Sequence, residues 1–291
     1  MEQTLNKGAM VLRAGYEVVE KTQLVPNVHF LKVRAPMIAQ KARAGQFIII
    51  KTDVEGERIP LSLAGWDASE GTVSVVFLDI GTSTRKLAKL KPGDTIVSCA
   101  GPLGNPSEIS KFGTVACVAG CYGIGALIPV AMALKNAGNT VIAIIEARSN
   151  FLLFWENEYK KVCDKVLTAT FDGSGRRRGH ASDVLRELLE SGQKFDRVYC
   201  VGCTYMMKIT SDATKPSGVP TRVQLNPIMV DGTGMCGVCR VMVGDRKKFA
   251  CIDGPEFDGH QVDWENLIKR RGAYLQEELR ALSAWECKNY G

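Results

Sequence analysis

Uninterrupted apolar runs of membrane-spanning length are missing from this sequence. That removes a helical membrane protein from consideration, because a spanning helix needs about 20 such residues. A dominant charge is missing too: 37 basic against 31 acidic residues leave a formal net charge of only +6. The one arginine triplet, Arg176, Arg177 and Arg178, is too little for a nucleic-acid surface, which needs a concentrated basic face. Histidine is scarce, and His29, His180 and His260 stand apart with no partner pattern for acid–base catalysis. Internal repeats and low-complexity tracts are absent, which excludes solenoids and disordered linkers. The N-terminal stretch MEQTLNKGAMVLRAGYEVVEK lacks the apolar core of a signal peptide, so a cytoplasmic location is expected.

What remains is a globular composition, 45% hydrophobic and 23% charged, over 291 residues, enough for two domains and a small appendage. Cysteine is plentiful at ten residues. A disulfide framework suits small secreted chains, whereas here three cysteines lie at metal-ligand spacing and others, such as Cys117 and Cys200, sit in apolar strands. A reducing compartment and oxygen sensitivity follow.

The first hundred residues hold short, partly alternating segments rich in Val, Ile and Phe at 16–20, 29–33, 46–51, 72–78 and 95–100, separated by turn residues. A β-barrel or sandwich is predicted over 1–108. From Gly113 the rhythm becomes strand, glycine turn, helix. Strands are predicted at 114–119, 140–146, 165–170 and 197–201, with helices at 126–136, 155–162 and 181–189. This alternation predicts a parallel sheet covered by helices over 109–219. A glycine- and cysteine-rich module follows over 220–263, then a charged helical tail over 264–291.

The densest chemistry is the run DGTGMCGVC, holding Asp231, Cys236 and Cys239, with Cys251 after eleven intervening residues. Were Asp231 a cysteine, the spacing would be C-x4-C-x2-C…C, the plant-type arrangement for a [2Fe–2S] cluster. A carboxylate oxygen is a harder ligand than thiolate, yet it binds ferric iron. The segment therefore reads as a cluster site with ligands Asp231, Cys236, Cys239 and Cys251. A C-x2-C pair also suits structural zinc, but zinc normally takes a second close pair, and Cys251 stands alone.

Three further motifs are weaker in isolation. GCYGIG from Gly120 joins a predicted strand to a predicted helix, where small residues let N–H groups approach a pyrophosphate. RIPLS, from Arg58 to Ser62, offers a guanidinium for a diphosphate and a hydroxyl for a flavin ring, or is an ordinary strand start. GTST from Gly81 offers consecutive donors for phosphate and serves equally as a helix N-cap.

Taken in order, these motifs and GCTYMMK from Gly202 resemble the ferredoxin-reductase-type flavoprotein superfamily. The runs LNPIMVDGTGMCGVCR from Leu225 and CIDGPEFDGH from Cys251 narrow the resemblance to the small subunits of NADH-dependent ferredoxin:NADP oxidoreductases, also called sulfide dehydrogenase subunits. The electron-transfer subunits of dihydroorotate dehydrogenases are more distantly similar, with Cys as their first cluster ligand. The resemblance implies FAD in the barrel, a nicotinamide dinucleotide on the second domain, and the cluster near the flavin. By matching positions, Arg58, Pro60, Leu61 and Ser62 would contact the flavin and its phosphates. Gly81, Thr82, Ser83 and Thr84 would complete the diphosphate site; Gly120, Tyr122, Gly123 and Ile124 would meet the dinucleotide's pyrophosphate. Arg148, Asp172, Gly173 and Ser174 would lie at its adenosine half, with Gly202 and Cys203 toward the nicotinamide.

This chain departs from the family at two points. Cys121 and Tyr122 replace glycines, and a bulky tyrosine would narrow the nucleotide entrance. Cys203 stands where the family has proline, and is expected to be a small inert residue, as buried cysteines usually are. Met206 and Met207 read as helix packing. NAD(H) is expected because Glu146 ends a strand where an acid meets a ribose hydroxyl; Arg148 and the arginine triplet favour NADP(H) instead.

The fold is thus expected to be a β-barrel FAD domain plus an α/β parallel-sheet nucleotide domain, with a small C-terminal [2Fe–2S] module. The cofactors carry the chemistry, so no catalytic side chain is expected in this oxidoreductase subunit. By resemblance the partner is a larger subunit with FAD and [4Fe–4S] centres, and the heterodimer would bifurcate electrons to ferredoxin. Alternatives are an electron-transfer subunit for a dihydroorotate or other dehydrogenase, and a zinc-stabilised, non-catalytic binding module.

Overall fold

The structure, a computed structural model, describes residues 15–290. Most of the N-terminal stretch read above for a signal peptide lies outside the described residues. Seven strands come first: β1 (Tyr16–Val25), β2 (Val28–Arg34), β3 (Phe47–Lys51), β4 (Arg58–Asp67), β5 (Thr72–Leu78), β6 (Thr95–Ile96) and β7 (Ser98–Leu103). They form a near-closed antiparallel barrel in the order β6-β1-β2-β5-β4-β3-β7. Alternate residues point inward, so Leu31, Ile48, Ile50, Leu63 and Phe77 fill the interior. Two short helices accompany the barrel, α1 (Pro36–Ala39) and α2 (Thr82–Ala88), the second burying Leu87 in that core.

The next unit alternates strand and helix: β8 (Thr114–Gly120), α3 (Gly123–Asn136), β9 (Thr140–Ala147), α4 (Glu156–Val162), β10 (Lys165–Thr170), α5 (Ala181–Glu190), β11 (Arg197–Val201), α6 (Thr204–Thr214) and β12 (Thr221–Gln224). All five strands are parallel. Continuous burial through β8 and β9, with no alternation, is what a sheet covered on both faces requires. The chain then makes the hairpin β13 (Arg240–Val243) and β14 (Arg246–Phe249), the strand β15 (Glu256–Asp258), and the helices α7 (Trp264–Arg271) and α8 (Leu275–Tyr290).

The second sheet runs β10-β9-β8-β11-β12-β15, with β15 adding antiparallel to β12. The chain moves outward from β8 in one direction to β9 and in the other to β11. The crevice between β8 and β11 is therefore a topological switch point, the place where such sheets bind ligands. The barrel packs directly on this unit: a Cβ built on Gly125 of α3 would lie 2.5 Å from Cβ of Val76 on β5. Phe47 and Ile49 of the barrel share one apolar cluster with Ala116 of the sheet and with Cys239 and Cys251.

Candidate flavin, nucleotide and cluster sites

A cavity of about 230 Å³ lies where the three parts meet. Strand β4 pairs with β3 along its first half but with β5 only from Leu63 onward. Its opening residues thus have one open edge, which suits Pro60, a residue with no N–H to leave unpaired. Pro60, Leu61 and Ser62 line the cavity from this side, joined by Thr84. Tyr122 and Val201 close it from the switch point, and Asn226 and Met229 from the segment entering the cluster loop. Arg58 lies outside the lining set; it is exposed and its Nε donates to the carbonyl of Val230 at 3.2 Å, tying β4 to the residue before Asp231.

The GTST loop is internally braced. The Thr84 hydroxyl accepts from the N–H of Gly81 at 3.0 Å and that of Ile80 at 3.2 Å, and Ser83 donates to Glu57 at 3.5 Å. The Thr82 hydroxyl is buried without a partner. An orphaned donor of this kind fits a phosphate oxygen, since burying it unpaired is costly.

At the switch point the glycines are fixed by close approach. A Cβ on Gly123 would sit 2.1 Å from the Val201 carbonyl oxygen, and one on Gly120 or Gly202 would strike Met206. Cys121 adopts φ of +55°, a conformation glycine takes without strain. Tyr122 is turned into the cavity wall: its hydroxyl donates to the Gly202 carbonyl at 3.0 Å and accepts from Asn226 Nδ2 at 2.7 Å. Burial pushes its phenol pKa up, partly offset by the Asn226 hydrogen bond and the charge of Arg271.

The Ile124 side chain is fully buried and its N–H bonds the Cys121 carbonyl. One expectation about this region needs correction. Cys203 is exposed rather than buried, and it caps α6 by accepting from the Met206 N–H at 3.4 Å.

The adenosine end also differs from expectation. Glu146 is buried and accepts from the Ala181 N–H at 2.6 Å, with His180 Nδ1 at 3.7 Å. Desolvation pushes its pKa up. One of its oxygens caps helix α5, and the other lies beside the Gly120 turn. The exposed acid is Asp172, which accepts from Ser149 Oγ at 2.5 Å and from Ser174 N and Oγ at 2.9 and 2.6 Å. These bonds, the Ser149 one foremost, lower its pKa to about 2. Gly173 between them is left-handed at φ of +76°, and Arg148 is exposed beside them. Of the arginine triplet, Arg177 is taken up by Glu187, and Arg178 packs over Gly173.

In the cluster loop, Gly232, Gly234 and Gly237 all have positive φ, which explains three glycines in six residues. Cys239 and Cys251 are buried with their sulfurs 3.1 Å apart, and Cys236 is exposed. Burial, then the Cys239 contact, pushes the Cys251 thiol up to about 12. Asp231 accepts from the N–H of Thr233 at 2.9 Å and of Cys236 at 2.8 Å, which holds its carboxyl below the usual range. Among the described residues no three His, Cys, Asp or Glu side chains converge as a metal site. The structure brings Cys239 and Cys251 together and leaves Asp231 and Cys236 on the loop beside them. The donor set still fits an iron–sulfur group: three free thiols and an ionised carboxylate occupy one loop and the turn that follows β14, and a carboxylate has about four acceptor positions, of which two are used here.

Sequence reasoning missed Gln224, Asn226, Thr204 and Arg271. Asn226 was within reach, since it opens the NPIMVDG run; Arg271, in a charged tail, gave no signal.

A family model for the iron–sulfur cluster binding domain of dihydroorotate dehydrogenase B matches residues 226–263. A dihydroorotate dehydrogenase B electron transfer subunit homolog from Thermotoga maritima is 44% identical over 262 residues, covering 90% of this chain and 92% of its own. The dihydroorotate dehydrogenase B electron transfer subunit of Desulforamulus reducens is 29% identical, covering 86% and 97%. A solved chain from the NADH-dependent reduced ferredoxin-NADP oxidoreductase, described for flavin-based electron bifurcation, superposes with a TM-score of 0.89 at 42% identity, covering 95% of this chain and 99% of that one. Sequence, cluster loop and fold agree over nearly the whole length, and the chain belongs to the family of dihydroorotate dehydrogenase B electron-transfer subunits and their homologues.

Proposed function

We propose that this chain is the electron-transfer subunit of an NADH-dependent ferredoxin:NADP oxidoreductase-like complex. It exchanges hydride with NAD(H) and single electrons with a [2Fe–2S] cluster. The observation that carries this reading is the shared cavity: barrel residues Pro60, Leu61 and Ser62, switch-point residues Tyr122 and Val201, and cluster-segment residues Asn226 and Met229 form one wall. Bound FAD supplies the conversion between two-electron and one-electron chemistry, and the cluster supplies the one-electron exit. The chain's own residues bind, orient and exclude water. The open edge of β4 and Ser62 would hold the flavin ring, and Gly81, Thr82, Ser83 and Thr84 its diphosphate, with the free Thr82 hydroxyl as a donor. Gly120, Tyr122, Gly123, Gly202 and Cys203 frame the dinucleotide at the switch point. Arg148, Asp172, Gly173 and Ser174 form its adenosine shelf. Asp231, Cys236, Cys239 and Cys251 would hold the cluster.

The proposal divides the chain into the barrel (1–108), the nucleotide domain (109–219), the cluster module (220–263) and the tail (264–291), with β12 and β15 knitting the module into the sheet. A larger partner with FAD and [4Fe–4S] centres completes the complex. A cytoplasmic setting is part of the reading, supported by ten free cysteines. Among the described residues no helix is long and apolar enough to cross a membrane. Service to a dihydroorotate dehydrogenase is the second reading: the electron transfer subunit of Desulforamulus reducens is 29% identical against 42% for the oxidoreductase chain, while the subunit homolog of Thermotoga maritima reaches 44%. Anaerobic purification of the native complex tests the proposal. The expected result is one FAD and two irons per copy of this chain, together with the larger subunit. A colourless protein with stoichiometric zinc overturns it.

A further inference from the structure

We propose that Arg271 is the charge-bearing residue of the flavin cavity, placed to stabilise the negative charge that a flavin gains on reduction. This rests on the FAD reading above. Hydride uptake adds two electrons and one proton, so the ring gains one negative charge unless a second proton follows. Among the residues lining the cavity, Arg271 is the only one with a formal charge. The one other titratable group there, Tyr122, is kept neutral by burial.

The guanidinium is held by a chain of neutral groups. Arg271 Nη1 donates to Thr204 Oγ1 at 2.8 Å, and that hydroxyl donates to Asn226 Oδ1 at 2.9 Å. Asn226 Nδ2 donates to the Tyr122 hydroxyl at 2.7 Å, which donates to the Gly202 carbonyl at 3.0 Å. Each hydroxyl donates once and accepts once, so the chain is satisfied without a carboxylate. Two other arginines, by contrast, meet carboxylates: Arg85 meets Asp79 and Glu286, and Arg197 meets Glu108. Among the described residues the Thr204 hydroxyl is the acceptor found for Arg271. Its charge is left for a ligand, and a guanidinium does not lose its proton at working pH.

The residue is also positioned from both sides. Helix α7 ends at Arg271 and α8 follows, tied to α2 by Arg85 to Glu286 at 2.5 Å and by Lys89 over the Trp285 ring at 4.4 Å. Arg271 is itself an exposed residue that lines one edge of the cavity, so water screens its charge in part and its effect on a ligand is modest. The bland alternative is that Arg271 merely complements the C-terminal dipole of α7.

The test is a redox titration of the flavin in the full-length anaerobic holoprotein, comparing wild type with Arg271→Gln, Arg271→Met and Arg271→Lys. Gln and Met remove the charge while keeping helix-forming side chains, so either variant carries the test if the other fails to fold. The expected result is FAD retention within about threefold and a preference for reduced over oxidised flavin weakened about tenfold, a fall of about 30 mV for a two-electron couple. Arg271→Lys should restore most of it. Wild-type protein without FAD would mean that the flavin reading itself has failed. FAD retained with an unmoved potential in both neutral variants would overturn the Arg271 proposal alone, leaving the helix-dipole role.

Discussion

Asp231 stands between two roles, since both of its oxygens accept backbone N–H groups of its own loop while its position is that of a cluster ligand. If it binds iron, Asp231→Cys should keep a [2Fe–2S] cluster, because the spacing becomes all-thiolate plant type. The potential should shift, since a softer donor replaces oxygen on one iron. Asp231→Ala should leave the cluster labile, having removed both a ligand and the two loop hydrogen bonds. An Asp231→Cys protein with intact iron and an unchanged electron paramagnetic resonance spectrum would eliminate aspartate ligation. In the proposed dinucleotide site the residue to test is Asp172. Its serine bonds keep it ionised at any working pH, and a fixed negative charge opposes a 2′-phosphate. Diaphorase activity should therefore favour NADH over NADPH, and Asp172→Asn should narrow that preference about tenfold. A wild-type preference for NADPH would mean that Arg148 and Arg176 outweigh the acid.

Elements with strong local signals were legible, and elements defined by their neighbours were not. Strands β10 and β11 match the predicted 165–170 and 197–201, because buried β-branched runs between glycine turns need no tertiary context. Helix α3 begins at Gly123, three residues before the predicted 126: its first turn is built of glycines, which propensity rejects and which the Val201 carbonyl and Val76 demand. Strands of three or four residues, β12 to β15, exist through pairing at the sheet edge and in one hairpin, so pattern alone could not reveal them. The tail is helical as its pattern suggested, but it breaks at Gly272, and that break ends α7 where Arg271 reaches the cavity. Site legibility follows the same division. The cysteine spacing and glycine turns stood out, while the role of Glu146 as a cap for α5 depended on a helix 35 residues away. The packing demand between barrel and sheet is testable. Gly125→Ala should force α3 from β5 and cost about 1–3 kcal/mol by overpacking, read as a lowered denaturation midpoint at constant m-value. A midpoint within error of wild type would show that the barrel and sheet are not pressed together at Val76.

At the scale of the whole chain, the barrel, the parallel sheet and the cluster module each present an incomplete wall, and the walls meet in one cavity. Apolar clustering joins the parts as well: beside the barrel's own core, Phe47 and Ile49 from β3 pack with Cys239 and Cys251 and with the sheet core. A ligand filling that cavity should bind only the assembled arrangement, and binding free energy then becomes folding free energy for all three parts. With free FAD at 100 times its dissociation constant, the linkage contributes about 2.7 kcal/mol. For a chain of this size that corresponds to a Tm change of roughly 5–10 °C, at about 2–4 °C per kcal/mol. Stripping FAD should lower Tm by that amount. It should also raise amide hydrogen exchange together in β4, at the 120–125 turn and in the 224–231 segment, because each loses the same partner. If exchange rises in the barrel alone, the flavin belongs to the barrel, and electrons reach the cluster without a wall held in common.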